Sequence, residues 1–400
     1  MADSSAETIQ LIAFLEDKKD IEVIRSVFKE NNIKNTEIIN GGVKEAIEYF
    51  SLQRSPQYLI IDISKSDLPV SDLSRLSELC EPGISLIAVG KKNDVGLYRD
   101  LMKLGIFEYV VSPLLSQIIG RALKTMILGE EKGKGVPSRR GKIIAVAGSR
   151  GGVGSTFIAT NLAAILASEK FRRVVLIDLD LHFGTVSLYL DIKPNLGLKD
   201  ALEDPERIDQ VYLERLLIPV NEHLYALSTE ETLEEPLKYK VEGVEKLLEY
   251  LSKLFHYVII DVPHYSNEST LAVLENAKIL LLVTDSSLAG LRDSGRFLRL
   301  FGGEGVDHRV IFVMNKVETS RKSDVSADEY EETLKRKIDH IISYNPLLSM
   351  ECVNRGKTLV AADDSLADSI RKIANNVQGI KELEKEKGIF ERFLQNIKLK

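Results

Sequence analysis

The sequence predicts an α/β chain of two doubly wound domains, each built on a parallel sheet. Three observations carry that prediction. Short apolar runs alternate with helix-period segments from residue 9 to residue 128. A stretch rich in Gly, Pro and charge, residues 130–141, then interrupts the alternation without any periodicity of its own and is expected to be a linker. At residue 142 the alternation resumes with an apolar run, a glycine-rich turn and a helix. At 400 residues the chain is too long for one typical domain. The expected division is 1–129, linker 130–141, and 142–400.

In the first domain, residues 9–15 form an apolar strand that ends on Glu16 and Asp17. Residues 21–30 place Ile21, Ile24, Val27 and Phe28 on one helical face. A second helix covers 44–51. A near-continuous buried strand covers 58–63 and reaches Asp62, and 84–89 is another strand. Residues 98–104 are helical, 109–111 are a short strand closed by Ser112 and Pro113, and 114–128 form a last helix.

In the second domain, 143–147 is a buried strand, Gly148 to Gly154 a turn, and 156–167 a helix. Residues 173–180 form a strand carrying Asp178 and Asp180 at its end, and mixed helix and loop follow from 198 to 254. Strands at 256–263, with Asp261, at 278–284 and at 309–317, with Asn315, come next. A short strand is expected at 340–345, and 366–400 is mostly helical.

Composition narrows the function. The net charge of -7 argues against non-specific nucleic-acid binding, which needs a basic surface. Cys80 and Cys352 are far apart and lack metal-ligand spacing, so they read as thiols of a reducing compartment. Cys352, the one cysteine of the second domain, cannot by itself hold a redox cluster. Residues 1–10 are polar and acidic, without the pattern of a secretory signal. The apolar run 279–284 is broken by Asp285, so no stretch is long enough to span a bilayer. The expected location is cytoplasmic.

The chemistry concentrates at residues 142–161, KIIAVAGSRGGVGSTFIATN. Strand, glycine loop and helix make a phosphate cradle: the glycines let backbone N–H groups point at oxyanions, and the helix start adds its positive dipole end. Gly148, Gly154 and Thr156 hold the two glycines and the hydroxyl of G-x-x-x-x-G-K-[ST]. Ser155 stands where that motif has lysine.

These pieces together resemble the ParA/MinD family, P-loop ATPases with a deviant loop K-G-G-x-G-K-[ST]. Here the loop is Arg150, Gly151, Gly152, Val153, Gly154, Ser155 and Thr156. The resemblance spans roughly 142–365 and implies ATP and Mg²⁺ as ligands. It implies that backbone N–H groups of the loop hold the phosphates and that Thr156 ligates Mg²⁺. Asp178 and Asp261 would act behind it through water, and Asp180 would orient the attacking water. Asn315 matches the residue that recognises adenine, and Tyr344 and Asn345 fall in the family's later adenine-side loop. The first lysine of the motif reaches across a nucleotide-sandwich homodimer, a task Arg150 can take as a bidentate phosphate ligand. Ser155 cannot replace the second lysine. Binding should survive on backbone donors, Mg²⁺ and base contacts, while turnover is expected to be slow or absent.

The first domain resembles a response-regulator receiver domain, a flavodoxin-like fold. Glu16 and Asp17 sit where that family keeps its Mg²⁺-binding acids, and Asp62 sits at the phosphoacceptor position. Ser112 replaces the family's lysine, and Val89 or Gly90 stands where a hydroxyl residue is usual. The expected reading is a degenerate receiver used for docking, with phosphorylation of Asp62 as the alternative. A degenerate receiver followed by a ParA/MinD-like domain is similar to the TadZ/CpaE family. That similarity implies a hub, often at a cell pole, that recruits the assembly machinery of tight-adherence (Flp-type) pili. An active MinD-type ATPase cycling at a membrane is the other reading. Ile389, Phe390, Phe393, Leu394 and Ile397 share a helical stripe. Residues 388–400 are therefore expected either to touch a membrane or to pack on the protein.

Overall fold

The computed structural model describes residues 11–53, 55–128, 140–234, 240–264, 267–303, 308–318 and 325–380. The apolar stripe at 389–397 and residues 130–139 of the expected linker lie outside the described residues.

The first domain alternates strand and helix throughout: β1 (Leu11–Leu15), α1 (Lys18–Glu30), β2 (Thr36–Asn40), α2 (Val43–Leu52), β3 (Tyr58–Asp62), α3 (Pro69–Leu79), β4 (Ser85–Gly90), α4 (Val95–Lys103), β5 (Glu108–Val111) and α5 (Ser116–Leu128). The strands form a parallel sheet in the order β2-β1-β3-β4-β5. Central strands β1 and β3 are buried at every residue, which is why they read as unbroken apolar runs. Apolar cores cover both faces, one around Phe14, Phe50 and Leu73, the other around Ile24, Ile60 and Leu123.

The second domain contains β6 (Lys142–Gly148), α6 (Ser155–Ser168), β7 (Val174–Asp178), α7 (Val186–Leu190), α8 (Leu198–Glu203), α9 (Gln210–Leu216), β8 (Ile218–Pro219), β9 (Leu224–Leu227), α10 (Val241–Leu254), β10 (Tyr257–Val262), α11 (Glu268–Asn276), β11 (Ile279–Thr284), α12 (Leu288–Phe301), β12 (Arg309–Val317), α13 (Ala327–Leu334), β13 (His340–Ser343), α14 (Pro346–Asn354) and α15 (Ser365–Gln378). Its sheet runs β13-β12-β11-β6-β10-β7-β9-β8, parallel except for the antiparallel pair at the β8 edge. The glycine-loop strand β6 lies between β11 and β10. Helix α6 is buried from Phe157 to Ala167, enclosed between the sheet and α15. Its alanines let neighbouring backbones approach closely.

Elements β2, α3, β8 and β9 add to the sequence expectation. β2 is a half-exposed edge strand, so its apolar signal is diluted. α3 opens on Pro69 at its first turn and carries serines and an aspartate, and only Leu73 and Leu76 are buried. β8 and β9 are a short edge pair inside a region of mixed signals.

The two domains meet through the amino ends of their strands. The Arg172 side chain, 5% exposed, donates from Nη1 to the Leu79 carbonyl at 2.9 Å. A cavity of about 280 Å³ at this joint is lined by Cys80 and Leu104 on one side and by Lys142, Arg172 and His256 on the other. The carboxyl ends of the strands, which carry Asp62 in one sheet and the glycine loop in the other, therefore lie away from the joint.

Candidate nucleotide site and the acid cluster of the first domain

At the carboxyl end of β6 the chain turns through Gly152 (φ +81°) and Gly154 (φ +93°), a backbone region that costs L side chains but not glycine. Gly154 is the N-cap of α6 and offers no side-chain cap. The first N–H groups of α6 have no side-chain acceptor at the cap, and they face the loop with the helix dipole behind them.

Below the loop, three predicted residues converge. Thr156 Oγ1 donates to Asp261 Oδ2 at 2.6 Å. Asp261 and Asp178 are register partners on β10 and β7. Asp178 accepts from the Asp180 N–H at 3.1 Å and from the Val186 N–H at 3.1 Å. Burial, with the Asp178 charge beside it, pushes the Asp261 carboxyl up to about 8. Burial likewise pushes Asp178 up to about 6. Asp261 Oδ1 is buried without a hydrogen-bond partner. Two raised carboxyls and an orphaned oxygen beside a threonine hydroxyl are what a cation would relieve. No group of three or more His, Cys, Asp or Glu able to hold a metal occurs among the described residues. Mg²⁺ needs no such group, because it keeps waters and binds through one or two protein oxygens and phosphates. The residues present fit it.

Asp180 lies at the rim and accepts from the Phe183 N–H at 3.1 Å, in the turn after β7. Asn315, 6% exposed, donates from Nδ2 to the Val153 carbonyl at 2.8 Å and so pins the loop from β12. Tyr344, 41% exposed, stands beyond the end of β13 on the same sheet edge. Asn345 is the N-cap of α14, with Oδ1 accepting from the Leu348 N–H at 3.2 Å. Its side chain is thereby committed to the helix start, in the loop where sequence similarity placed base contacts.

Arg150 is held within its own chain. Its Nε donates to Asp285 Oδ1 at 3.4 Å, and Nη2 pairs closely with Oδ2. Burial works to raise the Asp285 carboxyl, but hydrogen bonds from Arg150 and Ser287 outweigh it and hold it below its ordinary value. Sequence reasoning missed Asp285 as a partner, and it missed Lys316, whose Nζ donates to the Gly152 carbonyl at 2.7 Å. The apolar run that ends before Asp285 and the Asn-Lys pair on β12 were the available signals.

In the first domain, Asp62 is 3% exposed, and its carboxylate accepts from the N–H groups of Glu16 (3.3 Å) and Ser64 (2.8 Å). Glu16 pairs with Lys65 Nζ at 2.6 Å. Asp17 caps α1 by accepting from the Lys19 N–H. Ser112 donates to the buried Asp20 at 2.6 Å. The acids that sequence similarity placed around a metal are thus engaged by a lysine, a helix cap and backbone donors.

The AAA_31 family model, an AAA domain, matches residues 141–301. The septum site-determining protein MinD of Escherichia coli (strain K12) is 23% identical over 62% of this chain and 96% of that protein. A ParA family ATPase from Chlorobium tepidum TLS superposes with a TM-score of 0.54 at 26% identity, over 59% of this chain and 98% of that one. A CpaE pilus assembly protein from Caulobacter crescentus CB15 aligns with 29% of this chain and 98% of its own at 27% identity, with a TM-score of 0.28, too low to carry an argument. The cradle on β6 and α6, the aspartates under it and these likenesses together make the second half of the chain a parallel-sheet P-loop domain of the ParA/MinD type.

Proposed function

We propose that the protein is an ATP-binding localisation hub in which Mg-ATP acts chiefly as a structural ligand that sets homodimerisation. The observation that carries this reading is Ser155 at the lysine position of the glycine loop. Thr156, Asp178, Asp261 and Asn315 support binding, because each is placed on the cradle or beneath it. Ser155 withholds the charge that would stabilise the γ-phosphoryl transition state, and such a loss commonly costs on the order of 10²–10³ in rate. Mg²⁺ would be held by the Thr156 hydroxyl with Asp261 and Asp178 behind it, and would supply neutralisation of phosphate charge. The chain's own contribution is to hold the phosphates on the α6 N-terminus, seat the base against Asn315 and place Arg150 at the mouth.

The first domain fits a docking role. Asp62 is buried and met by backbone donors, and Lys65 already occupies the neighbouring Glu16. That occupancy disfavours control through phosphorylation of Asp62. The two-domain architecture, similar to the TadZ/CpaE family, supports tight-adherence pilus assembly proteins as the recruits and a cell pole or inner membrane face as the place of action. Among the described residues no helix is long and apolar enough to cross a membrane.

A second reading keeps the enzyme active, as in MinD-type cycling. Asp180, in the turn after β7, and the Thr156–Asp261 contact support it, since these are the residues to which the family resemblance would assign hydrolysis. Two measurements on the purified full chain separate the readings. The hub predicts a monomer mass without nucleotide, a dimer mass with Mg-ATP, and little phosphate release. Phosphate release at the rates of an ordinary ATPase, with or without liposomes, would favour the cycling enzyme.

A further inference from the structure

We propose that Lys316 gives a bound nucleoside triphosphate a cation contact from β12 that supports binding, while the transition-state charge withheld at Ser155 stays unreplaced; the inference rests on the ATP-binding reading above. On a regular strand, successive side chains point to opposite faces. Asn315 and Lys316 do not: Asn315 reaches the Val153 carbonyl and Lys316 reaches the Gly152 carbonyl of the same loop. The cause lies in the backbone. The pairing of β12 with β13 shifts register between Met314 and Val317, and Lys316 sits at φ +58°. A positive φ is uncommon for a residue with a side chain, and such strain gathers at functional sites because surrounding contacts must hold it. Here the turn brings a lysine that would have faced away to the Gly152 carbonyl of the glycine loop.

Position and valence suit the task. A Cβ on Gly154 would lie 3.7 Å from Lys316 Cε and 2.6 Å from Asn315 Nδ2, so both side chains lean on the glycine that precedes Ser155. Lys316 is exposed, and its ammonium lies beside the loop at the Gly152 carbonyl. An ammonium has three donors, and the bond to Gly152 uses one of them. Two donors remain for oxygens of a bound nucleoside triphosphate, whose polyphosphate carries several negative charges. The other cation of the loop, Arg150, is paired with Asp285 in this structure. Residues 155 and 316 are far apart in sequence, yet the fold brings the uncharged position and a lysine that can aid binding to one loop.

The test is calorimetric titration of the full-length protein with Mg²⁺ and a non-hydrolysable ATP analogue. Lys316→Gln keeps a donor for the Gly152 carbonyl but removes the charge. The expected result is a loss of about tenfold or more in affinity for Lys316→Gln, with the melting temperature of the nucleotide-free protein little changed. Lys316→Arg should stay within a few-fold of the unmodified protein. Ser155→Lys placed on Lys316→Gln should restore affinity, because it returns a charge to the loop. A mere staple of loop to strand would give the opposite pattern: Lys316→Gln binding like the unmodified protein, or Ser155→Lys failing to rescue it, overturns the proposal. If Lys316→Gln does not fold, the salt dependence of binding by the unmodified protein and by Lys316→Arg decides. Affinity insensitive to ionic strength in both would count against a cation contact from Lys316. An unmodified protein that takes up no nucleotide overturns the ATP-binding reading and this inference together, whereas normal uptake with an unaffected Lys316→Gln overturns this inference alone.

Discussion

Ser155 and Thr156 are neighbours at the start of α6, and only Thr156 is tied to the acid pair below. Ser155→Lys would place an ammonium where the γ-phosphoryl develops charge. Phosphate release should then rise by about 10²-fold if the rest of the site is competent. A coupled phosphate assay on the two proteins measures it, and no increase would mean that another group limits the reaction. Arg150 poses a different question, because its guanidinium has a partner at Asp285 before any second protomer arrives. Arg150→Ala should weaken ATP-dependent dimerisation several-fold while leaving ATP affinity nearly unchanged. Asp285→Asn should have the opposite sign, since it removes a competitor for the guanidinium. Analytical ultracentrifugation with and without Mg-ATP reads both, and a dimer indifferent to either change must be held by another surface.

At the scale of elements, the legible parts were those whose physics is local. Buried parallel strands such as β1, β3 and β10 read as apolar runs because both faces are covered. The loop was legible because phosphate binding needs glycine at set spacings. What stayed hidden depends on contacts between distant residues. Lys316 meets Gly152 across 164 positions, and only the bend in β12 lets it do so. Asp285 meets Arg150 across 135 positions. Asn345, which sequence similarity puts in a base-side loop, accepts from the Leu348 N–H and caps α14, a local use of its amide. Asn161 shows how α6 is locked to the chain that follows β13. It is 1% exposed, donates to the Phe157 carbonyl and accepts from the Leu359 N–H at 2.7 Å. Asn161→Ala leaves that N–H buried without an acceptor, which costs about 1–3 kcal/mol. A lower chemical-denaturation midpoint with an unchanged slope would register it, and an unchanged midpoint would show that α6 is held by apolar packing alone.

For the whole molecule, the joint between the two sheets was not legible in the sequence, because it uses single polar residues from each side. His256, at the start of β10, lines that joint and accepts from the Arg173 N–H at 3.0 Å through Nδ1. Burial, reinforced by the Arg172 charge, lowers its pKa to about 4. The folded protein therefore keeps His256 neutral while the unfolded chain binds a proton below its ordinary value of 6.5. Between those two values the unfolded state holds more protons, so stability rises with pH up to about 6.5 and falls as the solution is acidified toward 4. The contribution lost is on the order of 2–3 kcal/mol. Melting curves at pH 5 and pH 7 should differ more for the unmodified protein than for His256→Gln. Equal differences would place the acid sensitivity elsewhere.

On the hub reading proposed above, the back-to-back placement of the two sheets also bears on how recruits would be held. With the strand carboxyl ends turned away from the joint, pairing two protomers through their nucleotide mouths sends the two Asp62 faces to opposite extremes of the assembly. A recruit that carries several copies of its docking element is then grasped at two separated points, or bridged to a second recruit. Tethering of that kind can raise apparent affinity by about 10²–10⁴ without any new contact, provided the spacing of the copies matches the span. Nucleotide would thereby act as a valence control, switching the protein between a one-handed and a two-handed grip.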